Sequence, residues 1–177
     1  MNYLIIIGII LIIVVSFILI IINSKGKFNL LNIKIKEANN SIELFLQTKK
    51  NILGRLIKAI NKDDKYKDEF LDFRESFENI DNNFSLHNLL SKYYMRISKI
   101  IFDDEKLTEK DKIVKLLAEL KDNEEDLIGS IKFYNDTIVD YNGLLKDFPH
   151  SVLSRLFGYE QKEFYINEKE ELFEILK

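Results

Sequence analysis

Two Tyr-Asn pairs stand seven residues apart in YNDTIVDYNGLLKDFP, at Tyr134, Asn135, Tyr141 and Asn142, and a Phe-Pro closes the stretch. Phenol and carboxamide groups at a regular interval are able to move protons or hold a ligand. The same interval is two helical turns, which is the register of a buried seam. Other chemistry-bearing residues are sparse. His87 and His150 lie far apart and fall in no HExxH or comparable ligand spacing, so each reads as a lone surface or loop histidine. There is no cysteine, no Gly-rich phosphate loop and no GxSxG elbow. Asp103, Asp104 and Glu105 form an acidic run without the EF-hand pattern and read as a solvated loop. No catalytic, cofactor-binding or metal-binding residue is assigned on this basis, and no cofactor is expected.

The elements that carry these residues read as helical throughout. One proline and six glycines in 177 residues, with many Leu, Ile, Lys, Glu and Asn, favour an all-α protein. In the stretch from Asn29 to Asn61, Ile35, Ala38, Ile42, Phe45, Lys49, Ile52, Leu56 and Ala59 recur at spacings of three and four, one helix face. A second helix is predicted through the aromatic stripe Tyr66, Phe70, Phe73, Phe77 and Ile80. A third is predicted from Leu86 to Phe102 with Ser85 as cap. The fourth keeps the coiled-coil-like alternation from Ile113 through Leu117, Leu120, Glu124, Leu127, Ile131, Tyr134, Ile138, Tyr141 and Leu145 to Phe148. Thr108 with Asp111 resembles a capping box at its start, and Pro149 stops it. SVLSRLFGY predicts a short helix ended by Gly158, and the Glu-rich end a further amphipathic piece.

Before these helices, Tyr3 to Ile22 contains no charge. As a helix this run is ~30 Å long, the thickness of a bilayer's hydrocarbon core. A basic start and a small-x-small cleavage site are not evident, so the run reads as an uncleaved anchor rather than a signal peptide. Lys25, Lys27, Lys34 and Lys36 follow it and none precedes it. Basic residues flanking a span stay on the cytoplasmic side, which predicts the N-terminus outside and the domain inside. The expected organisation is a transmembrane anchor at 1–24, an antiparallel up-down four-helix bundle at 25–158 and an acidic C-terminal tail at 159–177.

Two charges interrupt the apolar seams. On an up-down topology Lys49 lies about 30 Å along the first helix from Asn29, and Glu124 about 36 Å from the Phe148 end of the fourth. A buried unpaired charge is too costly to persist, so the two are expected to pair, with Arg74 as a possible third member. Together with Tyr134, Asn135, Tyr141 and Asn142 they form the expected polar seam, with the tyrosine rings toward the core and the asparagines one step around the helix, facing a neighbouring helix or solvent.

The net charge is -3, which does not suit a nucleic-acid binder, and no nucleic-acid motif accompanies the basic residues. The charge is uneven. Residues 25–62 hold nine basic and two acidic side chains, about +7, whereas 63–81 and 103–126 each carry about -5. The first lysines suit an anionic leaflet, worth about 1 kcal/mol each near the surface, and pairing with the acidic helices accounts for the same pattern.

The segments SIELFLQTKKNILGRLI, FRESF with Arg74, LAELKDNEEDLI, YNDTIVDYNGLLKDFP and LFGYEQKEFY, in this order, resemble the LemA family. Lys49 stands where that family usually has arginine, Gly54 where it has proline and Ile131 where it has arginine, with Lys132 beside it. The Tyr-Pro that usually opens the family's last helix is missing. The resemblance implies a bacterial single-pass membrane protein with an antiparallel helical-bundle domain and no established enzymatic activity. Two functions fit. One is a non-catalytic membrane-tethered scaffold that recruits an unknown protein partner or organises the membrane surface. The other is an accessory module or enzyme that binds a lipid or metal inside the bundle. A pocket above roughly 300 Å³ with convergent polar groups would favour the second.

Overall fold

The structure is a computed structural model that describes residues 2–62, 64–78, 80 and 82–165. The expected amphipathic piece in the Glu-rich end, residues 167–177, lies outside the described residues. All regular structure among the described residues is helical.

Helix α1, Asn2–Ile60, is a single helix of 59 residues. The expected boundary between anchor and bundle at 24/25 leaves no break in it. Gly26 costs only about 1 kcal/mol against Ala, too little to end a long helix that has no proline and strong helix formers on both sides. The large apolar side chains from Tyr3 to Ile20, and Ile22 after them, are exposed. Ser24 and Phe28 begin the buried face, which continues through Ile35, Ala38, Ile42, Leu46, Lys49, Ile52, Leu56 and Ile60. Lys58 in the last turn complements the helix dipole.

The predicted second helix is not an α-helix. Residues 64–77 form three single-turn 3-10 helices, Asp64–Tyr66, Leu71–Phe73 and Glu75–Phe77. Their backbone bonds run i to i−3: Glu69 to Tyr66, Phe73 to Phe70 and Glu78 to Glu75. The aromatic period is retained while the chain tightens. Tyr66 and Phe70 are buried, and Phe73 and Phe77 lie edge-on to one another with centroids 5.0 Å apart. Phe73 also meets Tyr93 at 4.9 Å. The Phe73 ring lies over Gly54, where a Cβ would stand 3.6 Å from it, an ordinary contact distance. Phenylalanine and aspartate are weak helix formers, so ring packing decides the local geometry. The predicted second α-helix is therefore corrected to an aromatic 3-10 leg, beside three long helices among the described residues.

Helix α2, Asn83–Asp103, starts two residues before Ser85; its cap is Asn82, whose side chain accepts from the Ser85 N–H at 2.8 Å. A single turn, α3, Glu105–Thr108, follows, capped by Asp104. Thr108 closes that turn by donating to the Glu105 carbonyl, so it does not cap the next helix as expected. Helix α4, Asp111–Leu144, spans 34 residues. It stops short of Phe148, which is 84% exposed rather than on the buried seam. Helix α5, His150–Phe157, ends as expected at Gly158, whose φ of 69° is left-handed and suits glycine.

The chain forms two compact units. The first holds residues 2–37 and 133–165, the second 38–132. In the first unit Phe28, Ile35, Ile138 and Tyr141 make the core, flanked by Leu31, Tyr134, Leu144, Leu145 and Tyr159. Phe28 stacks on Tyr159 at 4.3 Å and meets Tyr141 edge-on at 5.5 Å. In the second unit Ile42, Leu46, Ile52, Leu53 and Leu56 of α1, Leu90 and Ile97 of α2, and Ile113, Leu120 and Leu127 of α4 are buried. There Phe45, Lys49 and Arg55 meet Asn123, Glu124 and Glu119, so α1 and α4 run in opposite directions in this unit.

Candidate functional site

In the second unit the two charges that interrupt the apolar seams come together. Lys49 is 1% exposed, and its Nζ lies 2.8 Å from Glu124 Oε2 and 3.1 Å from Oε1. The two carboxylate oxygens thus share the ammonium, and the side chain of Glu124 keeps 28% of its surface in solvent. Lys49 Nζ lies 5.8 Å from the centroid of the Tyr94 ring. Beside it Asn123 donates to the Phe45 carbonyl at 3.1 Å, while its side-chain oxygen has no partner among the described residues. His87 is buried here, not a surface histidine as expected. Burial pushes its pKa down, Lys49 pushes it further down, and Glu124 acts against both. The ring is therefore neutral at neutral pH. Arg74 does not join this cluster. It is exposed, on the 3-10 leg, at the rim of an open depression with Lys50 and Phe73.

The Tyr-Asn repeat sits in the first unit and clasps a non-helical segment rather than a helix. Asn142 Nδ2 donates to the Lys162 carbonyl and its Oδ1 accepts from the Lys162 N–H, both at 2.9 Å. Asn135 Oδ1 accepts from the Tyr165 N–H, also at 2.9 Å. The carboxamide of Asn142 thus replaces a strand neighbour for one residue of residues 159–165. These residues were expected in a tail; they are bonded to α4. Tyr141 is buried against Phe28, and burial raises its pKa, with Tyr159 adding to the rise. Tyr134 is half-buried and edge-on to Tyr165. Burial, and then Glu163, raises its pKa. Both shifts favour the neutral form of the phenol.

A third polar group was not foreseen. His150 is buried at the start of α5. Its Nδ1 lies 2.7 Å from Ser24 Oγ, and its Nε2 lies 3.3 Å from Lys27 Nζ. Ser24 also donates to the Ile20 carbonyl at 2.7 Å. An ammonium can only donate, so Nε2 accepts and Nδ1 carries the proton. In this arrangement the imidazole donates to the serine and cannot activate it as a nucleophile. The partners are 126 residues apart in sequence, a separation at which spacing carries no signal. Burial and Lys27 push the His150 pKa down, with Asp147 opposing.

The basic residues after the apolar run divide along α1. Lys25 sits 4.1 Å over the Phe157 ring and Lys27 reaches His150. Lys34 and Lys36 follow on the same unbroken helix. Lys34 is ~18 Å beyond Ile22 at helical rise, more than twice the ~8 Å screening length at physiological salt. Of the four expected surface lysines, only Lys25 and Lys27 thus lie close to the end of the apolar run.

The acidic run is engaged locally. Asp104 accepts from the Tyr66 hydroxyl at 2.9 Å and caps α3. No group of three or more potential metal-ligating side chains converges among the described residues. The second unit does hold an open cleft of about 500 Å³, lined by Tyr94, Ile101, Phe102, Leu117, Leu120 and Glu124 among others. Its size exceeds the threshold set above. Ser98, Thr108 and Lys121 also line it, and its carboxylate is already shared with Lys49.

No curated protein matches the chain. The LemA family model matches residues 35–175, which include the Lys49–Glu124 pair and both Tyr-Asn pairs, and the chain belongs to the LemA family.

Proposed function

We propose that the protein is a non-catalytic, membrane-tethered scaffold. Its N-terminus lies outside, and its helical domain recruits a protein partner or organises the surface on the cytoplasmic side. In this reading the aromatic 3-10 leg takes the place of the second helix of an up-down bundle. The observation that carries the reading is α1. One unbroken helix leads from an exposed apolar run long enough to span a bilayer straight into the buried faces of both units. Such a helix fixes a folded body to the membrane without a flexible linker. The polar seam supports a structural role, since Lys49, Glu124, Asn135 and Asn142 all bond within the chain.

Affinity capture with the intact membrane protein, beside the same chain lacking 1–24, tests recruitment. Enrichment of a common partner by the intact protein is the expected outcome, and no partner with either form counts against the scaffold. Protease added to intact cells tests orientation: a domain cut from outside reverses it. A second reading rests on the 500 Å³ cleft. Its apolar walls with Glu124 at the edge suit the chain of a lipid or similar amphiphile. Native mass spectrometry of the purified protein would show a bound lipid mass that Leu120→Phe removes.

A further inference from the structure

Helix α5 lies where α1 leaves its exposed apolar run. The last exposed apolar side chain of that run is Ile22, and the next turn, Ser24 to Phe28, carries α5 and its flanks. His150 at one end of α5 touches Ser24 and Lys27. Phe157 at the other end lies under Lys25, and Tyr159 just beyond stacks on Phe28. A helix of eight residues is ~12 Å long. Both of its ends meet α1 within a single turn, so α5 lies across α1 and not along it. If α1 spans a bilayer, α5 lies in the plane of the membrane surface.

The two faces of α5 differ in kind. His150, Leu153 and Ser154 are buried against the first unit. Val152 and Leu156, four residues apart on the other face, are 56% and 67% exposed, and Phe148, in the turn just before the helix, is 84% exposed. This apolar stripe has no cover among the described residues. The helix that bears it touches α1 at Ser24, Lys25 and Lys27, directly after the exposed apolar run that ends at Ile22. Around the stripe stand the exposed cations Lys25, Lys27, Lys146 and Arg155, against the exposed acids Asp140, Asp147 and Glu160, a small excess of positive charge. An apolar stripe at headgroup level with a surplus of positive charge suits an anionic leaflet. A protein partner would have to dock in the headgroup layer itself to cover the same face.

We propose that α5 is an interfacial lipid-binding helix. Phe148, Val152 and Leu156 insert at the boundary of headgroups and acyl chains, in the leaflet from which α1 emerges. The device gives the protein a second, in-plane attachment that sets its height and rotation at the surface. It rests on the reading of α1 as a membrane span.

The chain has no cysteine, so Val152→Cys, Leu156→Cys, Asp136→Cys and Ile12→Cys each give one labelling site in the full chain. Each is labelled with an environment-sensitive fluorophore in vesicles of phosphatidylcholine and phosphatidylglycerol. Val152 and Leu156 are expected to be quenched by spin-labelled lipid and shielded several-fold from aqueous iodide relative to Asp136, which is exposed on α4 in the same unit. Labels at 152 and 156 as open to iodide as the one at 136 overturn the proposal. So does shielding from iodide without lipid quenching, which points to a second copy or another protein over α5. The Ile12 label separates the two readings. If it is lipid-quenched while 152 and 156 are not, the interfacial helix alone is wrong. If it too is open to iodide, the membrane span fails and the interfacial helix with it. Phosphatidylcholine-only vesicles should weaken the quenching at 156 and leave it unchanged at 12.

Discussion

The two units of the chain use the same helices, α1 and α4, and solve the burial of polar groups in different ways. Both bury carboxamide and imidazole dipoles, but among the described residues only the second unit also buries a full charge, Lys49, which Glu124 neutralises. The first unit buries dipoles: an imidazole on a hydroxyl, and carboxamides on a peptide backbone, around an aromatic core. A paired charge is costly to break and nearly neutral to replace as a pair. Dipolar clasps cost less to lose, and what they hold is a segment that would otherwise leave. The contrast predicts that the second unit is sensitive to single charge changes and that the first is sensitive to loss of ring packing and of the clasp.

The largest effect is expected for Glu124→Ala, which strands Lys49. Denaturation of the detergent-solubilised chain should show a loss of about 3–5 kcal/mol. The double change Lys49→Met with Glu124→Leu should restore most of it. If the single and double variants were equally unstable, packing rather than charge would govern the seam. Phe28→Ala removes the partner of both Tyr141 and Tyr159 and should cost about 3–4 kcal/mol. Hydrogen exchange should then rise in residues 133–165 before 83–103, and equal acceleration in both would erase the distinction between the units.

Asn142→Ala should cost about 1–3 kcal/mol, because it leaves the Lys162 N–H and carbonyl without their partner. Trypsin should cut faster after Lys162. Asn135→Ala should do less, with one bond lost. The smallest effect is on acidification. Both histidines have pKa values pushed below the ordinary value near 6.5. The unfolded chain therefore binds protons first, so stability is full above that value and declines as pH falls below it. His87→Leu should flatten the decline in the second unit. In the first, a protonated His150 presents a second N–H to Lys27, with only Asp147 to offset it, so His150→Gln should flatten the decline there.

Much of the helical plan was legible from periodicity. Ile35, Ala38, Ile42, Lys49, Ile52, Leu56 and Ala59 were placed on one face and are buried, because side-chain spacing survives any tertiary arrangement. The same rule misplaced Phe148. Periodicity carries no sign of where a backbone leaves the helix, and α4 ends at Leu144. It also misread residues 64–77, whose aromatic spacing is met equally by a tightened 3-10 path once Phe73 settles on Gly54 and Tyr93. The Lys49–Glu124 pairing was inferred from the cost of a buried charge and from helix rise. The contacts of His150 and of the two asparagines could not be, since each joins elements with no shared period.

The sequence by itself determined that the chain is helical, that its first helix is apolar enough to cross a membrane, and that its family is LemA. Those properties are local: composition, spacing and motif order are present before the chain folds. Tertiary structure decided that α1 runs unbroken through the expected domain boundary, and that an aromatic leg replaces a helix. It also decided that the Tyr-Asn repeat grips residues 159–165, and that α5 lies across the end of the apolar run. Each of these depends on which distant groups come to share one surface, where hydrogen-bond satisfaction and ring packing outweigh the small differences in local backbone preference.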